Sequence, residues 1–147
     1  MKKWVSISLL MLSAISSISQ AADPDWAQVT SSQQKYQLFL NTKIFQREGD
    51  VVNATLRYAF GEPQIFPFLN VKYDRMERRF AFQCGERKMV PLESSYFLSG
   101  TKVHSVNLTG GNPFQSQEQA LVPQKVSPQT LEDEALTQAC NFKPSKE

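Results

Sequence analysis

The chain has 147 residues, 41% of them hydrophobic and 20% charged, with 16 basic against 14 acidic side chains. The formal charge of +2 equals the two lysines at the very start, Lys2 and Lys3, so the remainder is close to neutral and gives no electrostatic reason to expect a nucleic-acid partner. A length of this order suits one domain, large enough to bury a core and small enough to gain from a covalent staple.

Lys2 and Lys3 precede an apolar run from Trp4 to about Ile18, which ends in Ser19-Gln20-Ala21. That order is what a signal peptidase reads, so residues 1–21 are expected to be a signal peptide cleaved after Ala21. The run is too short and too rich in serine for a bilayer span of about 20 residues, and nothing later approaches one. It also contains no cysteine, so no lipid anchor on a mature N-terminal cysteine is expected. Residues 22–147 then form a single exported domain, in the periplasm, outside the cell or on its surface.

Strand patterning begins at Tyr36, Leu38 and Leu40, which alternate with Gln37, Phe39 and Asn41. Glu48-Gly49-Asp50 reads as a turn, and Val51 to Phe60 resumes with β-branched and aromatic residues, which together suggest a hairpin. Gly61-Glu62-Pro63 is expected to break that run. Phe66-Pro67-Phe68 restarts it, and the stretch to Tyr73 is a strand only if Pro67 sits at an edge or at the strand start. Phe80, Phe82 and Cys84 share one parity and define a core face. Lys88 to Leu98, with Pro91 inside, reads as an irregular strand; Ser99-Gly100 turns into Lys102 to Leu108, and Asn107 to Ser116 reads as a loop around Gly110-Gly111-Asn112-Pro113.

The last element is a helix, expected over Ser127 to Cys140. Ser127 suits the N-cap and Pro128 the first helical position, while Glu132, Asp133 and Glu134 complement the helix dipole as a solvated face. Leu131, Ala135, Leu136, Ala139 and Cys140 fall on one stripe. The chain's two cysteines, Cys84 and Cys140, thus lie on a core-facing strand and on a core-facing helix. An even count in an exported chain reads as a disulfide, and the pairing is forced unless the bridge is intermolecular. Closing a loop of this size contributes roughly 4 kcal/mol in the chain-entropy model.

Catalytic and metal chemistry find little support. One histidine, His104, and two distant cysteines do not make a four-ligand zinc site, and neither a C-x-x-C pair, a phosphate-binding glycine loop nor a serine elbow occurs. His104 reads as an ordinary strand residue. No metal, no cofactor and no enzymatic activity are therefore expected. The feature with an interaction flavour is the basic group Arg75, Arg78, Arg79, Arg87 and Lys88, interrupted by Asp74, Glu77 and Glu86, which reads either as a solvated turn or as a grip for an acidic protein segment. With Phe80 and Phe82 inward, Arg79 points outward, whereas Arg78 shares the core-facing parity and reaches water only by snorkelling or if the strand begins after it.

Four landmarks, Asp25-Trp26-Ala27-Gln28-Val29, Lys35 to Asn41, Arg79-Phe80-Ala81-Phe82-Gln83-Cys84, and the helix Ser127 to Cys140, together resemble the surface-adhesin protein E family of exported bacterial proteins. The resemblance implies an α+β fold: a curved antiparallel sheet of about six strands, with a C-terminal helix tethered to the concave face by a disulfide. It implies protein ligands, host matrix or serum proteins in the namesake members, and it leaves room for a homodimer. Two landmarks differ. The signal-end cysteine of lipid-anchored members is absent, and Ala120-Leu121-Val122-Pro123 stands where a tryptophan is expected before the helix. The rival function is a periplasmic structural or accessory protein without a host ligand.

Overall fold

Val52, Ala54, Leu56 and Tyr58, each two residues apart, commit the centre of the chain to a strand with one buried face, and the sheet is built outward from it. A computed structural model describes residues 23–29, 36–108 and 122–143; the expected signal peptide and most of the expected 107–116 loop lie outside the described residues. The elements are β1 (Trp26–Val29), β2 (Tyr36–Asn41), β3 (Gln46–Glu48), β4 (Val51–Phe66), β5 (Val71–Gln83), β6 (Lys88–Leu98), β7 (Thr101–Asn107), β8 (Gln124–Lys125) and one helix, α1 (Leu131–Asn141).

Every strand pair is antiparallel, in the order β1-β2-β4-β5-β6-β7, with β3 on β4 and β8 on β6. The continuous path therefore has the six strands expected. β3 and β8 raise the total to eight by continuing edges that their shorter neighbours leave vacant: β3 takes Val51–Asn53 of β4 beyond the reach of β2, and β8 takes Lys88 and Met89 of β6 beyond that of β7.

One face of the sheet carries the core. Val29, Leu38, Leu40, Val52, Ala54, Leu56, Phe80 and Phe82 are all at most 2% exposed and meet Leu131, Ala135, Leu136 and Ala139 of α1. The stripe read from the sequence is the stripe that packs. Cys140 bonds Cys84 with an S–S distance of 2.10 Å, and no described cysteine is free. Cys84 stands one residue beyond β5, and its position is fixed by the β3–β4 turn: the Asp50 carbonyl accepts from the Cys84 amide at 3.0 Å, and the Asp50 carboxylate accepts from the Gly85 amide at 2.8 Å. A Cβ on residue 85 would stand 3.0 Å from that carboxylate, so the close approach favours glycine.

Several boundaries differ from expectation. The helix starts at Leu131 and not near Ser127: Thr130 is the N-cap, its hydroxyl accepting from the Asp133 amide at 3.1 Å, and Gln129 is left-handed at φ 62°. Pro128 consequently precedes the helix. The later start moves the acidic triplet into the first turn, where Glu132 and Asp133 become partners of the sheet side and only Glu134 stays a solvated residue. Gly61-Glu62-Pro63 does not end β4. The strand runs on to Phe66 through an irregularity between Ala59 and Gln64 that absorbs the proline. Pro67 lies in the turn through residues 67–70, not in a strand. Pro91 sits opposite Phe80 at a register shift, where the irregular pairing accommodates its missing N–H.

Candidate functional site

The five basic residues of the 75–88 segment go to three different places. Arg79 and Arg75 point to the face opposite α1, Arg78 points to the helix side, and Arg87 sits in the β5–β6 turn with Lys88 at the start of β6. The alternation of β5 imposes the first separation, because Phe80 and Phe82 are in the core and Arg78 must share their side.

On the helix side, the Arg78 Nε donates to Ser94 Oγ at 2.7 Å and its guanidinium lies 6.0 Å from the Phe80 ring. It is half-buried, as its core-facing parity requires, with its charge held beside the buried Ser94. Arg87, left-handed at φ 51°, reaches across to α1: Nη2 bonds the Asp133 carboxylate and donates to Thr137 Oγ1 at 3.0 Å. The hydrogen bond from Arg87 holds the Asp133 carboxyl below its ordinary value. Lys88 pairs with Glu86.

On the open face, charges alternate across strands. Arg57 of β4 has its guanidinium carbon 3.7 Å from the Trp26 ring centre, donates to Glu77 of β5 at 3.0 Å and reaches Asp23 at 3.2 Å. Arg75 stacks over Phe97 at 4.2 Å, and its Nε, 3.6 Å from Glu77, lacks a hydrogen-bond partner. Arg79, opposite Thr55 on one side and Glu93 on the other, sits 3.7 Å from the Glu93 carboxylate. Thr55, Glu77, Arg79, Glu93 and Ser95 line a shallow depression of about 140 Å³. Neighbours in this patch come from β4, β5 and β6, so the sequence around Arg79 could not announce them. The one local sign was the interruption of the basic run by Glu77.

The helix side beyond α1 is aromatic. Tyr36, Tyr58, Phe60, Tyr73 and Tyr96 form a chain of rings with neighbouring centroids 5.0 to 5.9 Å apart, and His104 lies at its end, 5.9 Å from Tyr96. Tyr36 donates to Glu132 of α1 at 3.0 Å. Burial, with the nearby Glu132 charge second, pushes the Tyr36 hydroxyl up to about 12. Burial raises Tyr58 and Tyr73 as well. These are structural tyrosines kept neutral, and His104 packs beside the rings of Phe66 and Tyr96 as a strand residue. Among the described residues, no group of three or more histidine, cysteine or acidic side chains is placed to hold a metal ion, and no helix is long and apolar enough to cross a membrane.

An open antiparallel sheet with a terminal helix cross-linked to one face and a charged, solvent-facing opposite side makes an α+β scaffold. The family model of surface-adhesin protein E matches residues 26–141, and the chain belongs to that family. The match runs from the start of β1 to the end of α1 and includes both bridged cysteines. The comparisons with curated proteins and with solved structures each give no significant match. Membership supports a surface adhesin-like role and an exported or cell-surface location.

Proposed function

We propose that the protein is an exported, non-enzymatic binding module, and that it grips an acidic segment of a protein partner on the open face, with Arg79 as the main contact. The observation that carries this reading is how loosely Arg79 is held. Its side chain is 48% exposed and its pair with Glu93 is long, an arrangement that is worth about 0–1 kcal/mol and is readily exchanged for a partner's carboxylate. Arg57 by contrast is 19% exposed and held by a ring and two carboxylates. Arg75, on the same face of β5 beyond Glu77, adds positive charge near the contact, and the hydroxyls of Thr55 and Ser95 border it. Arg78, Arg87 and Lys88 contribute only if the partner reaches around the sheet. The partners proposed are host matrix or serum proteins, as the resemblance to the namesake members implies, and a homodimer would present two such faces.

Surface-plasmon measurements on Arg79→Glu protein against a panel of matrix and serum proteins, at two ionic strengths, test the assignment. Charge reversal weakens capture and flattens its salt dependence together, while the fold persists with a small fall in melting temperature, because an outward strand residue carries little packing but the new carboxylate faces Glu93. Undiminished affinity for a demonstrated ligand rejects the open face as the site. The second reading, a periplasmic structural or accessory protein, is favoured by the same Arg79–Glu93 and Arg57–Glu77 pairs, which leave the face nearly neutral. Absence of capture across the panel, with no surface exposure on intact cells by protease shaving, supports that reading.

A further inference from the structure

β4 and β5 outrun their neighbours. β2 last pairs with β4 at Phe60 and β6 last pairs with β5 at Arg75, so Gln64–Phe66 and Val71–Tyr73 pair only with each other. The arm they make is held in place nonetheless. Phe66 lies 5.0 Å from Tyr96 and 5.1 Å from His104, and Tyr73 packs on Phe60 and Tyr96 at 5.6 and 5.0 Å. The arm's base is tied to the β6–β7 turn, where the Ser99 amide donates to the Asp74 carboxylate at 2.8 Å.

At the far end, the turn leaves Ile65, Phe68 and Leu69 exposed by 56%, 104% and 52%. Phe68 and Asn70 are left-handed, at φ 71° and 51°, a conformation that a bulky residue rarely adopts. A strained phenylalanine held wholly in water at the end of an anchored arm contributes nothing to the core. Its chemistry suits insertion elsewhere.

We propose that this tip inserts into the interfacial layer of a lipid bilayer, independently of the protein-binding face around Arg79. Residues 65–69 read Ile-Phe-Pro-Phe-Leu, without a charged or polar side chain, and Pro67 removes one backbone donor that would oppose entry into an apolar layer. The side chains stand outward from a turn and form no groove of their own. Charge complements the insertion: Lys72, cross-strand from Ile65, is exposed and its stem can extend toward phosphate headgroups, and Lys102 on the adjoining hairpin, exposed with its ammonium 5.8 Å from the Phe97 ring, adds a second positive charge. Of the nearby carboxylates, Asp74 is engaged by Ser99, and Glu62 lies three residues further from the turn than Ile65.

The test uses the full exported chain and vesicles of phosphatidylethanolamine with phosphatidylglycerol, with phosphatidylcholine vesicles as the neutral counterpart. The wild-type protein sediments with the anionic vesicles, and Phe68→Ser with Leu69→Ser lowers that partition by about tenfold or more, leaving the melting temperature unchanged. The fluorescence of the Phe68→Trp protein shifts to the blue on vesicles and is quenched by brominated acyl chains beyond the wild-type background. Lys72→Glu with Lys102→Glu lowers binding to the anionic vesicles and not to the neutral ones. Failure of the wild-type protein to sediment, sedimentation indifferent to the Phe68 and Leu69 changes, or no quenching of the Phe68→Trp protein beyond that background each overturns the proposal and leaves the tip to a protein groove.

Discussion

Removing the cross-link between sheet and helix separates what the covalent tie contributes from what burial contributes. Cys84→Ala combined with Cys140→Ala opens a loop of 56 residues, and the chain-entropy model assigns about 4 kcal/mol to its closure. Against this stand the contacts that remain. Leu131 and Leu136 are at most 2% exposed, and burial of each contributes about 1.5–3 kcal/mol. Phe142 just past α1 stacks on Phe45 at 4.4 Å, Arg47 bonds the Cys140 carbonyl, and Arg87 bonds Asp133 and Thr137. Those contacts hold the helix at both ends without the bridge. The double variant should therefore stay folded with α1 docked, lose about 3–5 kcal/mol of unfolding free energy, and melt roughly 10–20 °C lower. Urea titrations followed in parallel by far-ultraviolet dichroism and tryptophan fluorescence measure this. A loss under about 1 kcal/mol would refute the entropic account. Loss of the helical signal before denaturant is added, with the sheet intact, would refute the claim that burial suffices to dock α1.

Two further outcomes test the packing and the charge contacts of the helix. Leu136→Asp places an unpaired charge at a position with no exposure and should cost about 3–5 kcal/mol in thermal melts, whereas Glu134→Gln, on the solvated side, should stay within about 0.5 kcal/mol. Arg87→Ala should reduce stability at neutral pH by a margin that shrinks in acid to what the bond to Thr137 contributes. The Asp133 carboxyl is held below its ordinary 3.8, so its contribution is complete above that value and is lost as the pH falls through the lower, folded-state value. Acid titrations of both proteins check it, and a gap of undiminished size well below pH 3.8 would show that Asp133 is not the partner that matters.

The fold was legible where a pattern repeats within one segment. Period-two burial announced β2, the first half of β4 and the end of β5, and the apolar stripe of residues 131–140 announced the packed face of α1. What the sequence hid was set by partners remote in the chain. Ser127 and Pro128 are better helix-start residues by propensity than Thr130, but Asp133 is drawn by Arg87, and the left-handed Gln129 donates its amide to the same carboxylate at 3.1 Å. β8 has two residues and exists only because β6 offers a vacant edge. The patch around Arg79 was invisible for the same reason, since Thr55 and Glu93 reach it from neighbouring strands.

A run of arginines is therefore a poor guide to a basic surface when it lies on a strand. The pleat sends alternate residues to opposite faces, and each face then decides how firmly its arginine is committed. Arg78 is spent on Ser94 beside the core, Arg87 on the first turns of α1, and Arg57, never part of the run, on Trp26 and Glu77. Commitment scales with the number of charged or aromatic neighbours that stay when a ligand arrives, because each must be given up or shared. By that measure, Arg79 has one weak, exposed partner, whereas Arg75 has a ring beneath it and the Glu77 carboxylate beside it. The sheet has thus sorted its arginines by how firmly each is held, and the loosely held Arg79 lies on the face that α1 does not cover.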